Sequence, residues 1–374
     1  MWDVVVAGGG PAGAAAAYVL ARRGRRVLLA DDVDPCVAKI GEALPGAAVR
    51  LLRSIGLPVP EAAGPHRPIG GNLSCWNAEH PVASDFFCSP DGPGWRLDRA
   101  RFDADLRAAA IRAGARYRAA RVTNPERRGA GWSIGFGDHA PATSQWLIDA
   151  TGRRAAIARR QGATRLRDAP LIALYAVGRP PKAIQLDRTV IEAARHGWWY
   201  AAGLPSGQVV AGFHTHHRAA HALLTQPGRW REALRDTRHA GSMLADALFE
   251  HPPRAVEAGG ARLDRCRGDR WIACGDAALS FDPVSGQGIF AALHGGMTAA
   301  HAVDEALGGG NEKLAAYSAR LDHVRRHYVA HCRAVYGSEQ RWRDAPFWTL
   351  SRQATRHGGD HDESRADFRA FAAF

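Results

Sequence analysis

Val4-Val5-Val6-Ala7-Gly8-Gly9-Gly10-Pro11-Ala12-Gly13-Ala14-Ala15-Ala16-Ala17 is the stretch whose reading decides the fold. Residues 4–7 have the apolar run of a short buried strand. A glycine-rich turn follows, and then an alanine-rich helix that Gly24 stops. Residues 26–30 return to a buried-strand pattern and end on Asp31-Asp32. Strand, turn, helix and strand within about 30 residues make one βαβ unit. Its glycines have the spacing GxGxxG, as Gly8, Gly10 and Gly13. The first permits the tight turn, the second lets the backbone approach a pyrophosphate, and the third lets helix and strand pack closely. Pro11 and Ala12 open the helix, where unpaired N–H groups and the positive dipole end favour anions. Asp31 lies 18 residues after Gly13 at the end of the second strand. There its carboxylate accepts hydrogen bonds from a ribose diol; Asp32 is the alternative, separated from it by spacing alone.

A second segment of this kind lies more than 260 residues downstream: Gly275-Asp276-Ala277-Ala278-Leu279-Ser280-Phe281-Asp282-Pro283-Val284-Ser285-Gly286-Gln287-Gly288. It reads as a strand end, an acid, and a glycine-rich turn opening a helix near Ile289. Two such segments at the two ends of a discontinuous domain describe one long cofactor held at both ends, the shape of FAD. Reduced flavin carries negative charge near N1 and O2, which a helix N-terminus stabilises.

Between these segments, residues 45–55 and 99–114 have helical apolar spacing, with Asp98 as N-cap of the second. The strand at residues 146–148 runs into Asp149-Ala150-Thr151-Gly152. From 171 to 217 the pattern changes to short β-like runs, at 171–177, 189–191, 198–200 and 209–213, separated by turn residues. Helices are expected at 227–237, 242–250, 289–307 and 312–336, and a polar tail at 357–364. The fold class expected is α/β: a Rossmann-like FAD-binding domain with an inserted antiparallel-sheet substrate domain and C-terminal helices. The FAD domain would comprise residues 1–70, 96–165 and 255–305, the substrate domain 71–95 and 166–254, and the helical region 306–374.

These residues resemble the FAD-dependent monooxygenases of the aromatic-hydroxylase type, and more narrowly their halogenase-like branch, over nearly the whole chain. Gly41-Glu42-Ala43-Leu44-Pro45 is similar to the branch's GE-x-x-P turn near the flavin ring. Arg99 with Phe102-Asp103 and Leu106 is similar to the Arg-x-x-Phe-Asp helix, whose arginine reaches the cofactor's polar chain. Asp149-Ala150-Thr151-Gly152-Arg153 matches the "DATG" strand end. By this resemblance Gly275 and Asp276 serve the ribityl hydroxyls. Pro283, Gly286, Gln287, Gly288 and Ile289 lie along the isoalloxazine, and Val122 belongs to the cofactor set. The chemistry implied is hydroxylation of an electron-rich indole or phenol through a flavin C4a-hydroperoxide. O2 is the oxidant, and electrons come from NAD(P)H or a separate flavin reductase. No protein nucleophile is required.

Two departures matter. Flavin halogenases need a lysine downstream of the GE-x-x-P turn, and the only lysines are Lys39, Lys182 and Lys313. The halogenase motif W-x-W-x-I-P is replaced by Gly197-Trp198-Trp199-Tyr200-Ala201-Ala202-Gly203-Leu204-Pro205. This segment and the C-terminal Arg341-Trp342-Arg343-Asp344-Ala345-Pro346-Phe347-Trp348 resemble a subgroup that matures quinone cofactors by oxygenating a tryptophan side chain within a protein. Trp198, Tyr200, His214, Phe281 and Pro283 are the substrate-contact candidates, with core packing the competing role for Trp198. His214 is the candidate catalytic side chain. Hydroxylation of a free small aromatic, an isoprenoid-reductase-like FAD reductase or dehydrogenase, and a non-enzymatic flavin-binding maturation chaperone are the alternatives.

The charge of +12 favours an acidic partner. No basic stripe with interleaved aromatics points to nucleic acid, and no run approaches the roughly 18 apolar residues of a membrane span. Without a charged, then apolar, leader the chain is expected to be cytoplasmic, as a monomer or homodimer. The cysteines Cys36, Cys75, Cys88, Cys266, Cys274 and Cys332 form no CxxC pair and are expected to be reduced; no metal site is expected.

Overall fold

Strand Trp2–Ala7 lies inside a parallel sheet, where both faces are covered and a continuous apolar run is the stable pattern. Val4 pairs with Val27 of Val27–Ala30 on one side and with Trp146 of His139–Asp149 on the other. Trp271–Ala273 continues the sheet beyond His139–Asp149, with Ile148 opposite Ile272, so the strands leading into the two quoted segments end on the same edge of the sheet with one strand between them. The computed structural model describes residues 1–33, 39–86, 89–180, 187–226, 228–244 and 246–357. A hairpin absent from the sequence reading, Thr123–Arg128 with Gly131–Phe136, extends His139–Asp149 to eleven residues.

Helix Pro11–Arg22 is sandwiched between this sheet and the long helix Gly288–Leu307. Only small residues allow the approach. A Cβ on Gly13 would stand 1.8 Å from the Gly8 carbonyl oxygen, one on Gly8 2.2 Å from that of Ala150, and one on Gly296 2.1 Å from that of Ala12. Gly8 also has φ +105°, a conformation that L side chains resist. Helix Arg99–Arg112 begins as expected, with the Asp98 carboxylate accepting from the Arg101 N–H.

The second sheet has seven strands in the order Arg254–Glu257, Leu171–Gly178, Val209–His216, Gly197–Gly203, Arg188–Ala194, Gly71–Cys75 and Val82–Asp85. It is antiparallel except where Arg188–Ala194 pairs in parallel with Gly71–Cys75. Side chains alternate between its faces. Leu174, Val190, Trp199, Ala211 and Phe213 turn away to pack with Trp230, Leu234 and Phe249. Ala173, Thr189, Trp198, Tyr200 and His214 turn toward the first domain. Beneath Trp198 the helices Glu312–Ser338 and Pro346–His357 close a core containing Tyr328, Tyr336, Phe347 and Trp348.

Two helix readings are corrected, and one helix lies where none was expected. Residues 217–225 form the helix His217–Thr225, because the β pattern ends with Val209–His216. The helix expected at 227–237 is Arg229–Arg235, Pro227 lying outside the described residues. The one expected at 242–250 is only Ala240–Leu244, since the backbone of Leu248 bridges to Arg179. Cys75, Cys266, Cys274 and Cys332 are free thiols. Cys36, Cys88, Lys182 and tail residues 358–364 fall outside the described residues. Among those described, no helix is long and apolar enough to cross a membrane.

Gly296→Ala is expected to lower stability by about 1–3 kcal/mol through overpacking against Ala12. Gly288→Ala, whose Cβ would meet nothing within 4 Å, leaves it unchanged. Denaturant midpoints of the two variants measure the difference.

Candidate functional site

Two cavities meet at the glycine turn. One, of about 1040 Å³, runs along the carboxyl ends of the parallel strands. The other, of about 630 Å³, lies between that domain and the inner face of the seven-stranded sheet. Gly10, Ala150 and Gly152 line both, so the two form one crevice. A Cβ on Gly10 would meet nothing within 4 Å, although Gly8 and Gly13 on either side are tightly packed. The turn thus offers its middle glycine and the helix N-terminus to whatever lies in the crevice. A dinucleotide pyrophosphate fits this cradle.

The larger cavity collects Gly8, Asp31, Asp32, Val122 and Thr151. Asp31 is buried, 3.5 Å from the Arg107 guanidinium, and Asp32 pairs outward with Arg121. The cavity between the domains collects Pro11, Ala12, Gly41, Glu42, Ala43, Arg99 and Asp276. Pro283, Gly286, Gln287, Gly288 and Ile289 form its wall, with Phe281, Trp198, Tyr200 and His214 opposite or beside them. Gly13 and Gly275 do not line the crevice. They set the packing behind it, Gly275 with φ +59° and its absent Cβ 2.6 Å from that of Ala12. Burial pushes the Asp276 carboxyl up from its ordinary value, and Arg153, 3.6 Å away, offsets part of this.

Several motif residues are already engaged by the protein. The Asp149 carboxylate accepts from the N–H groups of Thr151, Ile157 and Ala158 and from the Thr151 hydroxyl, so it fastens the strand end to the next helix and does not face the cavities. Arg99 donates to the carbonyls of Ile40 and Gly41 and pairs with Asp103, which also binds Lys39. Its guanidinium thereby shapes the turn that carries Glu42. Glu42 caps no helix. It accepts a 2.8 Å hydrogen bond from the Tyr200 hydroxyl, which accepts one of 2.6 Å from Arg96. Arg96 also donates to Thr189. This buried network joins the turn beside the crevice to the second sheet. It uses the Tyr200 hydroxyl and leaves the ring facing the cavity.

Trp198 is both core and wall. Its ring stacks on His214 at 3.7 Å and 5°, and its indole N–H donates to the Tyr336 hydroxyl at 3.2 Å. Burial holds His214 at about 3, so this imidazole is neutral at working pH. The turn beside them is anchored by Asp282, whose carboxylate accepts from the Val284 N–H at 2.9 Å and the Tyr336 hydroxyl at 2.8 Å. Arg153 donates to the carbonyls of Gly259 and Phe281 and holds the same turn from the other side. Arg96, Arg153, Asp282 and Tyr336 were not singled out from sequence. Asp282, inside the quoted glycine-rich segment and before a proline, and Arg153, at the end of the Asp149–Arg153 motif, carried a local signal.

A model of the FAD binding domain matches residues 1–332. The FAD-dependent oxidoreductase LodB of Marinomonas mediterranea is 30% identical over 359 residues, 93% of this chain and 96% of its own. A 1H-pyrrole-2-carbonyl-[peptidyl-carrier protein] brominase of Pseudoalteromonas luteoviolacea is 24% identical over 85% of this chain and 81% of its own. Among solved structures, the peptidyl tryptophan dihydroxylase QhpG, essential for tryptophylquinone cofactor biogenesis, superposes with a TM-score of 0.74. It has 25% identity and covers 94% of this chain and 78% of that one. With the crevice built around its glycine turn and these matches along most of its length, the chain belongs to the FAD-binding-domain family of flavoprotein oxidoreductases.

Proposed function

We propose that the protein is an FAD-dependent monooxygenase that hydroxylates an electron-rich aromatic ring, a tryptophan side chain in a peptide or protein being the preferred substrate. The observation that carries this reading is the cavity where the crevice meets the second sheet. It is walled by Trp198, Tyr200, His214 and Phe281, and no described lysine lines it. A neutral, aromatic wall suits an indole or phenol. The missing lysine disfavours halogenation, the activity of the brominase relative. The likeness to QhpG, a peptidyl tryptophan dihydroxylase similar along 94% of this chain, supports the peptidyl substrate. The rim includes exposed Glu257, paired with Arg165 and Arg167, so a chain segment has a side from which to enter. The charge of +12 favours an acidic protein partner.

Gly8, Gly10, Pro11, Ala12, Asp31 and the backbone at 150–152 would hold the adenosine diphosphate half of FAD. Gly41, Glu42, Arg99, Asp276 and residues 283–289 would hold the flavin half. Held by these residues, reduced FAD would supply the electrons that make O2 an electrophilic oxygen donor, and NAD(P)H or a separate reductase would replenish them. The protein excludes water, presents the ring edge from the Trp198–His214 face, and keeps the N-terminus of helix Gly288–Leu307 toward the charge on the ring system.

Gly10→Val tests the cofactor assignment. The backbone there has φ −72°, which any residue adopts, and the side chain would enter the cradle, where a Cβ meets nothing within 4 Å. The variant is expected to fold with an unchanged melting temperature as apoprotein and to lose bound flavin, measured by its 450 nm absorbance. Retained stoichiometric FAD would refute the assignment. For the reaction, prereduced enzyme is mixed with ¹⁸O₂ and a tryptophan-containing peptide, free tryptophan or phenol, with bromide present. Mass spectrometry is expected to find ¹⁸O in the peptide's tryptophan. Labelled free tryptophan or phenol alone would select the small-molecule hydroxylase, and bromine in the product a halogenase. No product with any probe leaves the reductase and chaperone readings.

A further inference from the structure

Asp282 stands between two cavities. On one side it lines the aromatic cavity with Trp198, His214 and Phe281. On the other it lines a separate cavity of about 20 Å³, with Asp168, Gly260, Tyr328, Cys332 and Tyr336, large enough for one water. The Tyr328 hydroxyl accepts from the Asp282 N–H at 3.0 Å and reaches the Asp168 carboxylate at 3.5 Å. Asp168 is paired with Arg325 and keeps 19% of its side chain accessible. Asp282 therefore borders both the aromatic cavity and a water-sized cavity that it shares with a solvent-touching carboxylate.

We propose that Asp282 is the proton acceptor of the oxygenation step, taking the N–H or O–H proton of an indole or phenol held against the Trp198–His214 face and releasing it through the Tyr328–Asp168 cavity. This rests on the monooxygenase reading. As the N–H or O–H bond breaks, its electron pair moves into the ring. A ring carbon then bonds to the outer atom of the oxygen donor; the O–O electron pair leaves with the inner oxygen, which takes up a proton and departs as water, and the substrate's proton rests on Asp282. The net reaction is ArH + O2 + 2 electrons + 2 protons giving ArOH + H2O, the electrons supplied by the reduced flavin.

The other titratable groups lining the aromatic cavity are poorly suited, and Asp276 among them is assigned to the flavin half and lies 3.6 Å from Arg153. The Glu42 carboxylate is committed to Tyr200. Burial pulls the Glu257 carboxyl up, but its bonds to Arg165 and Arg167 outweigh this and hold it below the ordinary value. His214 at about 3 is too weak a base. Burial pushes Asp282 up to about 6, opposed by the bonds from Val284 and Tyr336 and by Arg153, with Asp168 adding to the rise. Cys332, from the helix Glu312–Ser338, also faces this group, while Arg325 of that helix is paired with Asp168. A carboxylate in this range is ionised above neutrality yet still basic enough to take a proton.

Asp282→Asn keeps an acceptor for the Val284 N–H and removes the base. In single turnovers of prereduced wild type with O2 and the tryptophan peptide, product formation is expected to rise with pH through about 6. The Asn variant is expected to be about 100-fold slower and to lack that rise. Tyr336→Phe removes a donor to the carboxylate, which disfavours its charged form. Its profile therefore moves to higher pH while the plateau rate persists. Independently of turnover, infrared difference spectra of the holoenzyme should show a buried carboxylic acid band titrating near pH 6 that Asp282→Asn abolishes. An unchanged rate and profile in the Asn variant, or an Asp282 that stays ionised below pH 4, would overturn the assignment while product from wild type upholds the monooxygenase. No product from wild type with any of the probes defeats both.

Discussion

The site depends on one close approach: the backbone of residues 8–13 packed against both the parallel sheet and the helix Gly288–Leu307. The Gly8, Gly13, Gly275 and Gly296 contacts are all at distances that a methyl group would violate. Burial per residue is small here, because glycine and alanine have little apolar area to hide. What the packing gains is placement. The carboxyl ends of four strands and the N-termini of two helices converge on one crevice, although the segments lie more than 260 residues apart in the chain. Interiors are packed as tightly as organic crystals, so added volume at this crossing has to displace backbone.

Given that crossing, the second sheet closes the site by alternation. Along Gly197–Gly203, Trp198 and Tyr200 face the crevice while Trp199 packs behind with Phe213 and Trp230. A one-residue slip would exchange the faces. The Glu42–Tyr200–Arg96–Thr189 network resists that slip. Exchanging faces would strand a buried arginine and glutamate, and each uncompensated buried group costs upwards of about 1–3 kcal/mol. The same bonds therefore align the sheet and fix the turn beside the flavin end of the crevice.

What was legible in the sequence is what local chemistry encodes. The glycine spacing, the terminal acids at Asp31 and Asp276, and the Asp98 cap depend on residues within a turn or two, and the structure places them where these rules put them. The two-sided reading of Trp198, as packing or as wall, was legible only as a choice, because both follow from one alternating strand. The structure makes it both. The role of Asp149 was hidden because its partners, the N–H groups at 157 and 158, have no side-chain signature. The Arg96–Tyr200 and Tyr336–Asp282 bonds join residues 104 and 54 positions apart, and nothing local to either partner announces the other.

The wall of the aromatic cavity shows how charge is apportioned once these pairings are in place. His214 lies flat against Trp198 and its Nδ1 has no hydrogen-bond partner among the described residues, so desolvation outweighs the backbone hydrogen bond with Trp198 and the ring stays neutral. Asp282 is as deeply placed but accepts two hydrogen bonds, which return part of the stability that burial removes from its charged form. Two titratable groups on one cavity are thereby driven to opposite duties, one an uncharged surface and the other a carboxylate near its titration point. Environments that part neighbouring groups in this way are how a protein assigns acid and base roles at neutral pH. The two environments meet at one strand–helix contact, the indole of Trp198 donating to the Tyr336 hydroxyl that in turn donates to Asp282.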